Sequence, residues 1–160
     1  MENPDGMRPT LCERLNRAVS GRVDFGRRRS SWLRKERTEG GGVEYMALIY
    51  SDESAWERFS DDERNAAYEE YTEFSRAAGN AGVLVGGEEL GPTASATTVR
   101  IRDGKQLVTD GPYTEVKESL GGYFILDCAS FDDAVSWAAR IPGASHGAVE
   151  VRPVHVHEEG

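Results

Sequence analysis

Ionisable side chains cluster in one short stretch of this sequence, between residues 110 and 118. Asp110, Glu115 and Lys117 combine two carboxyl groups with an ammonium group. Such a set could exchange protons with a substrate, because burial raises the pKa of a carboxyl group whereas a neighbouring lysine lowers it. We predict these three residues as candidates for acid/base catalysis. The alternative is that Asp110 caps a turn and the other two belong to a solvated ladder of surface ion pairs.

Four more polar side chains are candidates for binding a substrate beside this set. They are Tyr113, Glu118, Glu88 and Arg100. Glu88 follows the glycine pair Gly86-Gly87 and could project into the same cleft as Glu115. Clustered ionisable groups next to a shaped turn are typical of a site for a polar small molecule. We therefore predict a small-molecule ligand held in a cleft, with acid/base chemistry that needs no cofactor.

The loop that carries these residues begins with the turn sequence Asp110-Gly-Pro112. Gly111 can adopt a positive φ, and Pro112 fixes its own φ. Further along, Gly121-Gly122 lets the backbone approach a neighbouring strand closely. The loop is therefore expected to hold one shape.

Metal-binding and nucleotide-binding patterns are weak or absent in the sequence. His155-x-His157 would place two imidazole groups on one face of an extended strand, but no Cys or Asp pair accompanies them. The chain contains no Walker A, G-x-S-x-G or G-x-G-x-x-G pattern. We predict no metal site and no bound cofactor.

Hydrophobic periodicity predicts two β-α-β units. The first comprises a strand over residues 43–50, a helix that the capping box Ser60-Asp-Asp-Glu63 opens and that ends near Ala78, and a strand over 83–85. The second comprises a strand over 122–127, a helix after Ser130 with the apolar stripe Phe131, Ala134, Val135 and Ala138, and a strand over 148–154.

A β-hairpin is predicted between these units, because Asp103-Gly104 is the signal of a type I′ turn. It joins strands over 96–102 and 105–109. The turn sets a register in which Val99 faces Val108, Ile101 faces Gln106 and Arg100 faces Leu107.

The fold class that follows is α+β, with a ferredoxin-like layout and the hairpin inserted between the halves. Both helices lie on one face of an antiparallel sheet, so the other face lacks a helical layer. We expect this open face to carry Leu48, Val99, Ile101 and Tyr123. Bare apolar side chains require a cover, which predicts a homodimer through the open sheet face, a dimeric α/β barrel.

Charge divides the chain into two parts. Residues 1–42 hold ten Lys and Arg against six Asp and Glu, whereas residues 43–160 hold nine against twenty-two. An acidic domain repels phosphate backbones, so we expect the folded part, residues 43–154, to bind no nucleic acid. Residues 1–42 are expected to form a disordered basic extension, or alternatively an arm for nucleic acid or an acidic partner. Residues 155–160 are expected to be a C-terminal tail.

The predicted location is cytoplasmic. The longest apolar run, Tyr45 to Tyr50, is six residues, far below the ~20 that cross a bilayer, so no membrane association is expected. Cys12 and Cys128 lie in unlike settings and predict no disulfide framework. Cys128 follows an apolar strand and is expected to be a small buried hydrophobe.

The ionisable loop also resembles a known family. Asp110-Gly-Pro-Tyr113, followed by Thr114-Glu-Val-Lys-Glu118 and Gly121-Gly-Tyr123, is similar to the hallmark segment of the DGPF group of the YCII-related domain family. The segments 45–50, 81–88 and 149–154 look like strands of that family. The resemblance covers residues 43–154 and implies a dimeric α/β barrel.

The resemblance carries two implications for function. In YciI-like relatives a His on the first helix and an Asp before the later strands are proposed as a catalytic dyad. The helix predicted from Asp61 contains no histidine, so the resemblance transfers Asp110 alone. DGPF-type proteins are also associated with extracytoplasmic-function sigma factors. The resemblance therefore implies an alternative, a non-enzymatic regulatory or interaction module with a transcription factor as its partner.

Overall fold

The computed structural model describes residues 42–155, which form two antiparallel sheets and four α-helices. The predicted basic extension and most of the C-terminal tail, including His157, lie outside the described residues. The strands are β1 (Val43–Ser51), β2 (Leu84–Glu89), β3 (Thr97–Arg102), β4 (Lys105–Asp110), β5 (Ser119–Cys128) and β6 (Ala148–Pro153). The helices are α1 (Glu53–Glu57), α2 (Asp61–Asn80), α3 (Phe131–Ala138) and α4 (Gly143–His146). These elements confirm the α+β class.

The larger sheet has four strands in the order β2-β5-β1-β6, and every neighbouring pair is antiparallel. Each half of the chain contributes one central strand and one edge strand, so the two halves interleave. β2 corrects the predicted strand over 83–85, because it begins at Leu84 and extends through Gly86-Gly87 to Glu89. Gly122 allows this pairing, since a Cβ there would lie 2.8 Å from the Glu88 carbonyl oxygen. The close approach predicted for the glycine pair is therefore confirmed at Gly122.

Helix α2 begins where its capping box predicts. The Ser60 hydroxyl accepts from the Glu63 N–H at 3.3 Å, and the Glu63 carboxylate accepts from the Ser60 N–H at 2.7 Å. This reciprocal cap stabilises a helix by about 1 kcal/mol. The helix ends at Asn80, two residues beyond the predicted end. None of the helices in residues 42–155 is both long enough and apolar enough to span a membrane.

The hydrophobic core lies between one face of the four-stranded sheet and helices α2 and α3. Alternate residues of the two central strands are buried there against Phe74, Ala78, Ala134, Ala138 and Ile141; the strand residues are Tyr45, Ala47, Ile49, Phe124, Leu126 and Cys128. The predicted stripe of α3 is only half right, because Phe131 and Val135 are largely exposed. Phe131 stands at the first turn, where the Tyr45 ring at 5.9 Å is its aromatic neighbour, and Trp137 packs on the core instead.

The opposite face of the sheet keeps its apolar side chains only half-buried. Met46 pairs with Ile125, and Leu48 pairs with Tyr123. We call these four residues the open face. Leu48 and Tyr123 were predicted on it, and their positions are confirmed.

The β3–β4 hairpin confirms the predicted turn and register. Asp103 has φ of 50° and Gly104 has φ of 71°, the two positive values of a type I′ turn. Val99 pairs with Val108 and Arg100 pairs with Leu107, as predicted. The hairpin is nevertheless a separate two-stranded sheet. The prediction that Val99 and Ile101 lie on the open face is therefore wrong: the turn chemistry sets the hairpin's internal register but does not attach it to the larger sheet.

Candidate functional site

The loop between β4 and β5 has the fixed start that its sequence predicts. Gly111 adopts φ of 103°, a conformation that side chains rarely allow. Its N–H donates to the Ala96 carbonyl at 2.8 Å, and its carbonyl accepts from the Thr98 hydroxyl at 2.9 Å. These bonds anchor the start of the loop to the base of the hairpin. Most of the remaining loop lines a cleft, through Pro112 and the run Thr114 to Lys117.

This cleft has a volume of about 370 Å³. Its three walls are the β4–β5 loop, the corner between β1 and α1, and a short 3₁₀ turn over Thr93–Ser95. Its lining is rich in carboxylate and hydroxyl groups and contains one lysine; the polar residues are Asp52, Glu53, Ser54, Thr93, Thr114, Glu115, Lys117 and Ser119. The volume falls at the lower end of small-molecule sites.

A pair of hydrogen bonds between Glu53 and Thr93 fixes the relative position of two walls. The Thr93 N–H donates to one carboxylate oxygen of Glu53 at 2.7 Å, and the Thr93 hydroxyl donates to the other at 2.6 Å. Short bonds to a charged acceptor are stronger than those between neutral groups. Because both oxygens of Glu53 are engaged with Thr93, we regard this carboxylate as a positioning group.

Asp52 supplies an ionised carboxylate at the mouth of the cleft. It caps α1 and accepts from the Ser54 N–H at 2.9 Å and from the Ser54 hydroxyl at 2.7 Å. The bond from the Ser54 hydroxyl is the main cause that lowers the pKa of Asp52, and the positive charge of Lys117 lowers it further. Asp52 and Lys117 are thus close enough to influence one another electrostatically.

The structure brings two of the predicted catalytic residues into this cleft. Glu115 and Lys117 both line it. Asp110, the third, is the last residue of β4, where it pairs with Thr97, and it does not line the cleft. Its predicted role stays a prediction.

The four predicted binding residues lie outside the lining of the cleft. Arg100 stacks on the ring of Tyr113, with its guanidinium carbon 5.0 Å from the ring centroid. Glu118 follows Lys117 and is exposed. Glu88 pairs with Tyr123 and therefore lies on the same side of the sheet as the open face. The structure thus brings Arg100 and Tyr113 together, but not with Glu88.

Asp52, Glu53 and Thr93 line the cleft but were not predicted as site residues from the sequence. Asp52-Glu53-Ser54 directly follows β1, and an Asp two residues before a Ser at the end of a strand is a signal for a helix cap that could have been found. No local signal connects Glu53 with Thr93, because they are separated by forty residues.

A second group of ionisable residues lies at the edge of the core. Burial raises the pKa of Tyr71 to about 12, although its phenol oxygen accepts a hydrogen bond from the Gly143 N–H. Desolvation also raises the pKa of Glu89. The Tyr71 ring packs on Phe124 at 6.5 Å between centroids, so Tyr71 is a core residue. Its raised pKa means that the phenol remains protonated near neutral pH. No cluster of three or more His, Cys, Asp or Glu within residues 42–155 is arranged to hold a metal ion.

Comparison with known proteins identifies the family. The model of the YCII-related domain matches residues 43–157. This chain belongs to the YCII-related domain family. An uncharacterized protein of Rhizobium meliloti (strain 1021) is 36% identical over 118 residues, which cover 72% of this chain and 95% of that protein. The YCII-related domain therefore includes all of the described strands and helices, with both the cleft and the open face.

Proposed function

We propose that this YCII-related domain binds a polar small molecule in the cleft between the β4–β5 loop and the β1–α1 corner. One observation carries the proposal: Glu115 and Lys117, opposite in charge, line a cleft that also contains the ionised Asp52. A ligand with hydroxyl or charged groups would find both donors and acceptors there. The Glu53–Thr93 bonds support it, because they hold two of the walls before a ligand arrives.

Cofactor-free acid/base chemistry is the reaction type that we propose for this site. Lys117 would donate a proton and Glu115 would accept one, each within the same cleft. The family resemblance implies a dyad of His and Asp. Because α2 contains no histidine, the resemblance transfers only Asp110, which remains a catalytic candidate.

A thermal-shift screen of polar metabolites tests the proposal. Glu115→Gln and Lys117→Met remove one charge each from the cleft, and Arg76→Met, which removes an exposed positive charge from α2, is a matched control. We expect at least one compound to raise the Tm of the wild type and the control by several degrees while leaving both cleft variants unchanged. If no compound separates the cleft variants from the wild type, the proposed binding site is wrong.

A non-enzymatic regulatory module is the second candidate. It is favoured by the exposure of Tyr113 and Val116, two large side chains of the same loop that a protein partner would cover. In this case the loop docks on a transcription factor of the sigma-factor class. The double charge reversal Glu115→Lys/Lys117→Glu is expected to abolish binding of a purified sigma factor, whereas the metabolite screen would then show no selective compound.

We also propose that the domain assembles as a ferredoxin-like homodimer through the open face, forming a dimeric α/β barrel. Four half-buried apolar side chains on that face support it. We further propose a cytoplasmic location. It is supported by Cys128, which is a buried free thiol. Desolvation raises the pKa of Cys128, so the thiol is poorly reactive.

A further inference from the structure

The β3–β4 hairpin, Thr97–Asp110, leaves its large apolar side chains uncovered. Val99 is 57% exposed, Ile101 is 60% exposed and Val108 is 55% exposed. The strand register places all three on one side of the hairpin, which we call the apolar side of the arm. Three neighbouring aliphatic side chains, each more than half exposed, form a patch that needs a cover.

The hairpin is also a two-stranded sheet with two free edges. Among residues 42–155, β3 pairs with β4 alone, and β4 with β3 alone. An isolated two-stranded hairpin is marginally stable in water, and unpaired strand edges readily recruit another surface. Covering the apolar side would therefore stabilise the hairpin itself.

The charges on the hairpin indicate which surface covers its apolar side. Arg100, Arg102 and Lys105 all lie on the side opposite Val99. With Asp103 in the turn, the six residues 100–105 carry a net charge of +2. Outside the hairpin, the described residues are acidic, with six Lys and Arg against eighteen Asp and Glu. A second copy of this chain consequently offers the acidic surface that the arm complements.

The open face of such a second copy matches the arm in both apolar character and charge. Its half-buried centre consists of Met46, Leu48, Tyr123 and Ile125. Four carboxylates lie on the same side of the sheet around this centre: Glu44, Glu88, Asp127 and Glu150. Arg152 lies on that side too and forms an ion pair with Glu150 at 2.9 Å, so the net negative charge of this rim comes from the other three carboxylates. The arm is only two strands wide, so the long Arg and Lys side chains can reach past its edge to these carboxylates.

We propose that the β3–β4 hairpin is an exchange arm. In a homodimer it packs its apolar side on the open face of the second copy, with Arg100, Arg102 and Lys105 near the acidic rim of that face. Twofold symmetry makes the exchange reciprocal, so each copy gives one arm and receives one. This inference rests on the proposed homodimer and names the element that covers its interface.

Sedimentation velocity on the full chain tests the arm. The variant Val99→Ser/Ile101→Ser removes apolar surface from the apolar side, and Leu107→Ser is the matched control on the basic side, where Leu107 is similarly exposed. We expect the double variant to raise the dimer dissociation constant at least ~10-fold, because each arm loses two apolar contacts and the dimer has two arms. The control should stay within about threefold of wild type. Circular dichroism should show both variants folded, since all three positions are exposed.

Photocrosslinking gives a second readout that does not depend on stability. The photoreactive amino acid p-benzoylphenylalanine replaces Ile101 in one preparation, which is mixed with isotopically labelled wild-type chain. We expect crosslinks from position 101 to labelled peptides of β1 and β5. Crosslinks confined to the unlabelled chain that carries the probe would overturn the proposal.

The experimental outcomes distinguish failure of the exchange-arm proposal from failure of the homodimer proposal. If Leu48→Asp dissociates the dimer while Val99→Ser/Ile101→Ser does not, the open face is an interface and the exchange arm is wrong. A wild-type chain that sediments as a folded monomer at micromolar concentration overturns both.

Discussion

At the scale of the residue, Asp52 is a carboxyl group of the cleft whose pKa is shifted by its neighbours. Its pKa is lowered from 3.8, chiefly by the Ser54 hydroxyl. Because the pKa is lower in the folded state, the ionised carboxylate stabilises the fold at pH values above the pKa of the unfolded chain. This contribution is lost as the pH falls through the pKa of the folded state. We expect Ser54→Ala to raise the pKa of Asp52 toward 3.8, whereas Ser54→Thr keeps the hydroxyl and should leave it low. An NMR titration of the Asp52 carboxyl carbon measures both, and an unchanged pKa in Ser54→Ala would contradict this assignment.

Thr93 is expected to matter for stability as well as for the shape of the cleft. Thr93→Val removes the hydroxyl that donates to Glu53 at 2.6 Å but keeps the side-chain volume. Loss of a hydrogen bond to a charged acceptor in a half-buried site should lower the free energy of unfolding by roughly 1–3 kcal/mol. Thr97→Val, on the exposed hairpin, is the control and should change it by less than about 0.5 kcal/mol. Urea denaturation compares the two, and equal midpoints would mean that the Glu53–Thr93 bond does not hold the walls.

The sequence predicts part of this site, and the missing part has a physical cause. Glu115 and Lys117 were found because they stand three and five residues after Pro112, inside a loop that the Asp110–Pro112 turn shapes. Thr93 was not found because tertiary packing, with no local pattern, brings it to Glu53. Glu88 does not line the cleft with Glu115, since strand pairing places it on the side of the sheet opposite the helices.

At the scale of the element, the backbone at Gly111 determines how the β4–β5 loop leaves the hairpin. A Cβ at Gly111 would meet no atom within 4 Å, so any effect of Gly111→Ala arises from its φ of 103°. We expect a loss of about 1–2 kcal/mol in the free energy of unfolding, together with altered amide shifts for the residues lining the cleft. Gly86→Ala is the matched control, because Gly86 also has open space and has no positive φ. It should cost no more than about 1 kcal/mol, and equal losses at the two positions would exclude strain at Gly111 as the cause.

Elements with a local chemical signal were predicted well. The capping box of α2 and the Asp103-Gly104 turn each depend on residues within four positions of one another, and both are confirmed. The relation between elements was harder to predict. Hydrophobic alternation in β3 is consistent with a strand of the main sheet, yet within the described part of the chain β3 pairs with β4 alone. Hydrophobic periodicity indicates that one side of a strand must be buried, but it does not identify the surface that buries it.

At the scale of the whole molecule, the proposed homodimer makes a testable demand on the open face. Leu48→Asp places a carboxylate opposite Tyr123, in the half-buried centre of that face. In a twofold dimer the change occurs in both copies, and burying two unpaired charges costs several kcal/mol, enough to dissociate the dimer at micromolar concentration. Leu107→Asp makes the same change on the exposed basic side of the arm and should remain dimeric. Sedimentation velocity distinguishes the two variants. A Leu48→Asp protein that sediments like a dimeric wild type would show that the open face is not the interface of the proposed homodimer.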